Sequence, residues 1–187
     1  IYDNLSRGHR SVADILKVPA IFSDLTDRAA LGMALRDHKI DVVMHFAAYA
    51  YVGESVEHPL MYYHNNVATT VDVLEAMKEA GVERFVFSST CAVYGDPEKI
   101  PITEEEKKAP VSPYGRSKWM VEQILQDHGH ANKNFKYAAL RYFNASGCAM
   151  DGTLGEDHDP EPHLIPVILQ AIQGKRPGIT IFGTDYP

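Results

Sequence analysis

A tyrosine and a lysine, Tyr114 and Lys118, stand four residues apart in the segment SPYGRSKWM. Ser112 followed by Pro113 is typical of a helix start, so this spacing predicts that both side chains lie on one helical face. A phenol has a reference pKa of about 10 and is a poor base at neutral pH. Because a nearby ammonium favours the phenolate, we predict that Lys118 lowers the pKa of Tyr114 toward working pH and prepares it for acid–base chemistry. A solvated helix face is the alternative.

Two further polar positions fit such a site. Thr90 ends an apolar run, where its hydroxyl is placed to hydrogen-bond a substrate oxygen, although a β-branched residue is also common at a strand end. Asn65 and Asn66 fall within a helical pattern although Asn is a mediocre helix former. They either form an exposed polar face or position backbone, cofactor or water.

Composition limits the classes of function. The 187 residues are 45% hydrophobic and 23% charged, as in an ordinary globular protein, and the net charge of −7 argues against nucleic acid or anionic membrane as partners. Only two cysteines, Cys91 and Cys148, are present, which predicts a cytoplasmic location without a disulfide framework. The nine histidines show no ligand-like cluster, so no metal site is predicted.

Strand-like and helix-like segments alternate along the chain, which predicts an α/β fold with a doubly wound parallel sheet. Residues 1–147 are expected to form a partial dinucleotide-binding domain. Residues 148–187, rich in Gly, Asp and Pro at first, are expected to begin a substrate-binding region. The predicted strands are Ala20–Leu25, Asp41–Ala48, Arg84–Thr90 and Tyr137–Asn144, and the predicted helices are Asp27–His38, Pro59–Ala80 ending at Gly81, and Ser112–His128 ending at Gly129.

Polar or small residues follow several of these strands. In a parallel sheet the carboxyl ends of the strands meet at one crevice, where ligands bind. Several strand ends directed at one crevice favour a binding site more strongly than any single motif does. The residues concerned are Asp3 and Asn4, Asp24, Phe46 to Ala48, Ser88 to Thr90, and Asn144.

An ordered set of segments resembles one superfamily over essentially the whole chain. The sequence is similar to the extended short-chain dehydrogenases/reductases, whose core is Rossmann-like, and most of all to the UDP-glucose 4-epimerase family, which includes UDP-arabinose 4-epimerases. The segments that carry the resemblance are SST…VYG, SPYGRSK, HFAA…VGES, YYHNNV and LRYFNASG.

The resemblance implies catalytic roles for three residues. Tyr114 would be the acid/base, Lys118 would lower its pKa and hold the nicotinamide ribose, and Thr90 would bind the reacting sugar hydroxyl. Tyrosinate would take the proton of the sugar 4-hydroxyl while tightly bound NAD takes hydride from C4, giving a transient 4-keto sugar that turns over and is reduced on its other face. UDP-glucose and UDP-galactose, N-acetylated hexosamines and pentoses all remain open as sugars.

The same resemblance implies binding residues. An acidic residue after the second strand favours NAD, because its charge repels a ribose phosphate, whereas the neighbouring Arg7 leaves NADP open. Asp3 and Asn4 would hold the adenosine ribose, Asp24 and Leu25 the adenine, and Tyr142 and Phe143 the nicotinamide. The other cofactor positions are Leu5, Ser6, Arg7, Gly8, Phe46, Ala47, Ala48, Tyr49, Ala50 and Asn65, and the nucleotide-sugar positions are Asn144, His163, Leu164, Thr180 and Phe182.

Two departures from the family pattern bear on function. The sequence contains no G-x-x-G-x-x-G, the turn that wraps the pyrophosphate, and Ala50 replaces a Lys found in many epimerases. We therefore expect an internal piece of a longer protein that lacks the first strand and the C-terminal substrate region and binds NAD poorly by itself. Either a partner segment fills the place of that strand or the sheet rearranges.

Three other functions are weighed. A nucleotide-sugar 4,6-dehydratase would carry Asp-Glu after the Thr, where this chain has Cys91 and Ala92. A UDP-glucuronate decarboxylase usually has Glu there. The third is an inactive nucleotide-binding module. For the full-length protein the resemblance implies a homodimer formed by the two long helices near Pro59–Ala80 and Ser112–His128.

Overall fold

A computed structural model describes residues 1–181 and 183–184. Two compact units divide between Phe143 and Asn144, four residues before the predicted domain boundary; what each unit binds stays a prediction. The strands are β1 (Tyr2–Asp3), β2 (Ile21–Phe22), β3 (Val43–His45), β4 (Arg84–Thr90) and β5 (Lys136–Tyr142). The helices are α1 (Ser11–Leu16), α2 (Arg28–Asp37), α3 (Val52–Glu57), α4 (Pro59–Tyr63), α5 (Thr69–Ala80), α6 (Pro113–Ala131) and α7 (Leu164–Ile172).

Every strand pair in the first unit is parallel, which confirms the predicted α/β class. β3, β4 and β5 form one sheet in that order, with Thr90 beside Tyr142, and β1 pairs with β2 in another. Between the facing edges lies a mainly apolar cavity of about 530 Å³, lined in part by Ile21, Val43 and Met44. That a partner segment fills this gap stays a prediction.

The core lies between the three-stranded sheet and helices α2, α5 and α6. Phe85 and Phe87 of β4 are buried against Val73 and Met77 of α5 and Leu125 of α6. Alternate residues of β4 point into this core, so the strand is fixed in register and its carboxyl end is held firmly. Among the described residues, no helix combines the length and apolar character needed to cross a bilayer.

Local sequence signals explain several helix ends. The Asp27 side chain accepts a hydrogen bond from Ala30 N and caps α2, and Gly81 ends α5 in the left-handed conformation. The predicted end of α6 at Gly129 is wrong, because the helix continues to Ala131. A Cβ at position 129 would lie 3.3 Å from the ring of Tyr137, so this glycine serves the packing of α6 on β5.

The predicted helix from Pro59 to Ala80 is interrupted. A π-helical turn, His64–Ala68, separates α4 from α5. Such turns displace side chains from the regular 3.6-residue pattern and occur often at functional sites. Here the turn carries both Asn65 and Asn66.

Candidate active site

Tyr114 and Lys118 are placed by the start of α6. The Ser112 hydroxyl accepts a hydrogen bond from Gly115 N at 3.1 Å, and Pro113 occupies the first helical position. Tyr114 therefore lies in the first turn and Lys118 one turn later, with its Nζ 6.0 Å from the centre of the Tyr114 ring. The predicted shared helical face is confirmed; on it Lys118 is buried and Tyr114 is half-buried.

Thr90 lies beside the phenol at the end of β4. Its side chain and that of Tyr114 are hydrogen-bonded, and its Oγ1 also accepts from Ala92 N at 3.1 Å. The second bond caps the 3₁₀ turn Cys91–Val93, which follows the strand directly. Thr90 thus fixes the backbone beyond β4 and contacts the phenol.

The pKa of Tyr114 differs from the prediction. Burial raises the pKa of Tyr114, and the hydrogen bond with Thr90 only partly offsets this. Lys118 does not lower it, because the ammonium donates to the Ser88 carbonyl oxygen at 2.8 Å instead of approaching the phenol oxygen. Burial also lowers the pKa of Lys118, to about 8. The predicted lowering of the Tyr114 pKa is therefore wrong for this structure.

A buried ion pair joins α6 to the ends of β4 and β5. Glu122, one turn after Lys118, accepts from Ser89 Oγ at 2.5 Å and from Arg141 Nη2 at 2.6 Å. Arg141 Nη1 donates to the Tyr94 hydroxyl at 2.8 Å. Because Ser89 lies between Ser88 and Thr90, this network fixes the strand end that contacts Lys118 and Tyr114. The sequence pattern did not single out Glu122 or Arg141.

Replacing Glu122 by Gln is expected to lower the free energy of unfolding by about 3 kcal/mol, because it leaves the Arg141 guanidinium without its buried partner. Glu75→Gln is the matched control. Glu75 pairs with Arg28 at the surface, where such pairs contribute less than about 1 kcal/mol. Urea denaturation at neutral pH measures both. Equal losses for the two variants would contradict a positioning role for the buried pair.

A second group of predicted residues surrounds a cavity of about 250 Å³ beyond the carboxyl ends of β1, β2 and β3. Of the predicted cofactor positions, twelve line it. Three lining residues were not predicted: Tyr2, Ser23 and Thr69. The twelve are Asp3, Asn4, Ser6, Arg7, Gly8, Asp24, Leu25, Phe46, Ala47, Ala48, Tyr49 and Asn65.

Asp24 and Asp3 are the acidic groups of this cavity, and Asp24 is the one after β2. Its carboxylate accepts from Asn4 Nδ2 at 2.7 Å and from Thr26 N at 2.9 Å. Hydrogen bonds from the Thr26 backbone and from the Asn4 and Thr26 side chains lower the pKa of Asp24, so it is ionised at neutral pH. Gly8 leaves space beside the Asp3 carboxylate, because a Cβ at position 8 would lie only 3.0 Å from Asp3 Oδ1. Donors and acceptors thus suit ribose hydroxyls and adenine.

Arg7 stands at the rim of the same cavity. Its guanidinium donates to Glu54 at 2.7 Å and lies over the rings of Tyr49 and Tyr51, about 5 Å from their centres. The carboxylate of Glu54 already neutralises this charge. Arg7 is therefore less suited to bind the ribose phosphate of NADP than the sequence alone indicates.

The π-helical turn connects the cavity to helix α6, which carries Tyr114 and Lys118. Asn66 Oδ1 accepts from Tyr49 N at 2.9 Å, and its Nδ2 donates to Tyr49 O at 3.0 Å and to Ser117 Oγ at 3.2 Å. Asn65 Nδ2 donates to Asn66 Oδ1 and also lines the cavity. Asn66 thus positions the Tyr49 backbone, which is one of its predicted roles, and Asn65 supports the Asn66 amide.

The remaining predicted cofactor residues lie outside that cavity. The Tyr142 ring stacks on Phe46, which lines it, with 6.5 Å between ring centres. Phe143 is exposed and ends the first unit. The others that do not line the cavity are Leu5, Ala50, Thr90, Tyr114 and Lys118.

The predicted nucleotide-sugar residues belong mainly to the second unit, which is described by itself. Asn144 and Thr180 are exposed there, and Leu164 begins α7 directly after His163. Phe182 lies outside the described residues. Their contact with a sugar stays a prediction.

Comparison with known proteins identifies the family. A family model described as the NAD dependent epimerase/dehydratase family matches residues 2–186. The chain belongs to this family. The predicted superfamily and Rossmann-like α/β fold are thereby confirmed.

Three relatives show how close the similarity is. The UDP-glucose 4-epimerase of Rhizobium meliloti (strain 1021) is 46% identical over 187 residues, which are 100% of this chain and 56% of the relative. The crystal structure of UDP-glucose 4-epimerase from Brucella ovis in complex with NAD has a TM-score of 0.93 at 45% identity, covering 99% of this chain and 56% of that one. The epimerase of Stenotrophomonas maltophila with bound NAD and formylated UDP-arabinopyranose has a TM-score of 0.94 at 36% identity, covering 100% and 58%. This chain thus spans about half the length of such relatives.

Proposed function

We propose that this chain carries the catalytic and cofactor-binding centre of a nucleotide-sugar 4-epimerase, acting on UDP-glucose and UDP-galactose or a related UDP-sugar pair. The grouping of buried Thr90, half-buried Tyr114 and buried Lys118 at the start of α6 and the end of β4 is the observation that carries the proposal. Relatives named UDP-glucose 4-epimerase support the choice of reaction.

Each residue of the cluster has a task in this reaction. The Tyr114 oxygen takes the proton of the sugar 4-hydroxyl and later returns one, while Thr90 orients that hydroxyl by hydrogen bonding. Lys118 has three N–H donors. One of them donates to Ser88 O, and the other two are assigned to ribose hydroxyls. Bound NAD supplies the hydride acceptor and donor.

NAD is proposed as the cofactor in preference to NADP. The ionised Asp24 repels a ribose phosphate, and Glu54 neutralises Arg7, the nearby cation that left NADP open. Structures of relatives in complex with NAD support this assignment. The cavity that holds Asp24 supplies the hydrogen-bonding groups.

A 4,6-dehydratase is disfavoured by the turn after β4. Cys91 and Ala92 lie in that turn, and neither supplies the carboxyl groups that expel water from a keto sugar in a dehydratase. The same absence of a carboxyl group weighs against a decarboxylase. A non-catalytic binding module would leave the interaction of the Tyr114 phenol with Thr90 without a role.

A chimera with a full-length relative tests the proposal, because the relative supplies the segments that flank the matching region. In it, these 187 residues replace the matching segment of the Rhizobium meliloti epimerase. Mass spectrometry and sugar analysis of products from a panel of UDP-sugars should show 4-epimers and no loss of water or carbon dioxide. A folded chimera that holds NAD but converts none of them would refute the proposal.

We also propose that the complete protein is a homodimer in the cytoplasm. Leu60 in α4 is 81% exposed, and Val56 and Met120 are exposed on the neighbouring helices α3 and α6. Cys91 and Cys148 are free thiols, as a reducing compartment favours.

Leu60→Glu is expected to convert the chimera from dimer to monomer, because it places a charge in the apolar interface. Light scattering coupled to size-exclusion chromatography measures the mass. Ile100→Glu is the control, since Ile100 is 88% exposed and lies outside these helices, in the loop before α6. A dimer that survives Leu60→Glu would contradict the proposed interface.

A further inference from the structure

A cluster of two histidines and two glutamates lies in the second unit, before α7. Glu156, His158, Glu161 and His163 each direct one possible ligand atom to a common point, and these four atoms all lie within 4.8 Å of one another. The spacing is Glu-x-His-x-x-Glu-x-His. The sequence-based expectation that the histidines form no ligand-like cluster is wrong for His158 and His163, whose ring centres are 4.6 Å apart.

The distances suit a tetrahedral ion. For metal–ligand bonds of about 2.0–2.1 Å, the edge of a tetrahedron is about 3.4 Å. His158 Nδ1 lies 3.5 Å from Glu156 Oε1 and 3.3 Å from Glu161 Oε2, and His163 Nδ1 lies 3.4 Å from Glu156 Oε1. The distance from His158 is to Glu161 Oε2; the other oxygen, Glu161 Oε1, lies 2.7 Å from His163 Nδ1 and forms a direct hydrogen bond with it. An ion bound by Oε2 and both imidazoles would replace that hydrogen bond.

Charge and burial also favour a cation. The Glu161 side chain is only 5% exposed, and that of Glu156 is 27% exposed. With neutral imidazoles, two carboxylates at one point would carry a charge of about −2, which is costly in a partly desolvated place. A divalent ion neutralises that charge and uses all four groups.

The cluster is fixed from two sides. Glu161 Oε1 accepts from His163 N at 2.9 Å, and Arg176 Nη2 donates to the Glu161 carbonyl oxygen at 2.8 Å. These bonds hold the segment from which the four side chains project. Little rearrangement is therefore needed for the carboxylates and imidazoles to converge on an ion.

We propose that Glu156, His158, Glu161 and His163 form a binding site for a divalent transition-metal ion, with Zn²⁺ as the expected occupant. Two imidazole nitrogens and two carboxylate oxygens match the ligands and the coordination number of Zn²⁺. Mg²⁺ and Ca²⁺ prefer oxygen ligands alone and are not expected to bind here. Four protein ligands close the coordination sphere, which indicates a structural site that fixes the segment before α7. This inference does not depend on the proposed epimerase activity.

Ion pairs between protonated imidazoles and the carboxylates are the competing explanation of the geometry. Metal titration separates the two. The 187-residue chain, stripped with a chelator and dialysed, is titrated with ZnCl₂ by calorimetry and with CoCl₂ by visible absorption. We expect one Zn²⁺ per chain and the intense d–d bands of tetrahedral Co²⁺ without a thiolate charge-transfer band. Absence of binding, or a weak octahedral cobalt spectrum, would overturn the proposal.

Variants locate the site. His158→Asn and Glu161→Gln should each weaken Zn²⁺ binding by more than the roughly 10–100-fold that changes outside the ligand shell cause. Glu156→Gln repeats the test at a more exposed ligand if a change at the buried Glu161 impairs folding, which circular dichroism reports. His130→Asn, on the exposed end of α6, and Cys148→Ser are the controls and should bind as the parent does. Equal affinity in ligand and control variants would refute the assignment.

Discussion

Tyr114→Phe is expected to lower kcat of the chimeric epimerase by about 10²–10⁴-fold, the usual contribution of general acid–base catalysis. The substitution removes the one oxygen that can exchange a proton with the sugar and keeps the ring. That ring packs edge-to-face on Tyr62, with 6.5 Å between centres. Folding and NAD content should therefore be unchanged, and kcat with KM from a coupled assay measures the effect.

Tyr137→Phe is the matched control for this loss, because Tyr137 is partly exposed and lies near Gly129, at the opposite end of α6 from Tyr114. It should retain full activity. The parent chimera should become faster as pH rises from neutral, because burial raises the pKa of Tyr114 and little phenolate is present at low pH. A Tyr114→Phe variant within a few-fold of the parent would show that another group moves the proton.

The sequence predicts the elements around Tyr114 well because local signals determine them. Arg84–Thr90 is a strand with the predicted bounds, since alternate apolar residues bury one face of β4. Ser112 and Gly81 act at their helix ends as their residue types predict. These features need only neighbouring residues, so pattern alone suffices.

Properties that depend on tertiary contacts were predicted less well. The spacing of Tyr114 and Lys118 was right, but the direction of the phenol pKa depends on burial and on where the ammonium points, namely at Ser88 O. The sequence predicts a helix end at Gly129 because glycine is common at helix ends. Packing against Tyr137 explains the glycine at this position better. The π-helical turn at Asn65 and Asn66 has no reliable sequence signal beyond two poor helix formers.

The residues that the sequence did not predict also divide into those with a local signal and those that depend on tertiary contacts. Tyr2 and Ser23 precede the predicted Asp3 and Asp24 by one residue, so the strand-end pattern contained a signal for them. Glu122 and Arg141 are 19 residues apart and pair only after β5 is placed beside β4. His158 and His163 are five apart in a segment without periodicity, which hides their convergence.

Lys118→Met is expected to stabilise the 187-residue chain at neutral pH by about 2 kcal/mol. A pKa lowered by burial from 10.5 to about 8 corresponds to about 3 kcal/mol of cost for the charged form. The loss of the hydrogen bond to Ser88 O offsets about 1 kcal/mol of that gain. Met fills a similar volume beside Phe87, over whose ring the ammonium now lies.

The pH dependence distinguishes this cause from a packing effect. Between pH 8 and 10.5 the unfolded parent binds more protons at Lys118 than the folded parent, so the parent gains stability as pH rises through this window. The advantage of Lys118→Met is therefore complete below about pH 8 and declines toward pH 10.5. Nearby His45, whose pKa burial lowers to about 3, is neutral in both proteins throughout.

Urea denaturation of both proteins at pH 7 and pH 10 measures the difference. Lys78→Met is the control, because Lys78 is exposed on α5 and its replacement should change stability by no more than about 0.5 kcal/mol. A Lys118→Met variant less stable than the parent at pH 7, or equally more stable at both pH values, would contradict a burial penalty.

The same substitution in the chimera should lower kcat and weaken NAD retention, because the donors proposed for the ribose hydroxyls are removed. A residue that costs stability and supports activity is what a functional site requires, since packing alone would favour an apolar side chain at this position. If Lys118→Met were more stable and equally active, the ammonium would have no part in the reaction. The cluster of Thr90 and Tyr114 would then have to act without it.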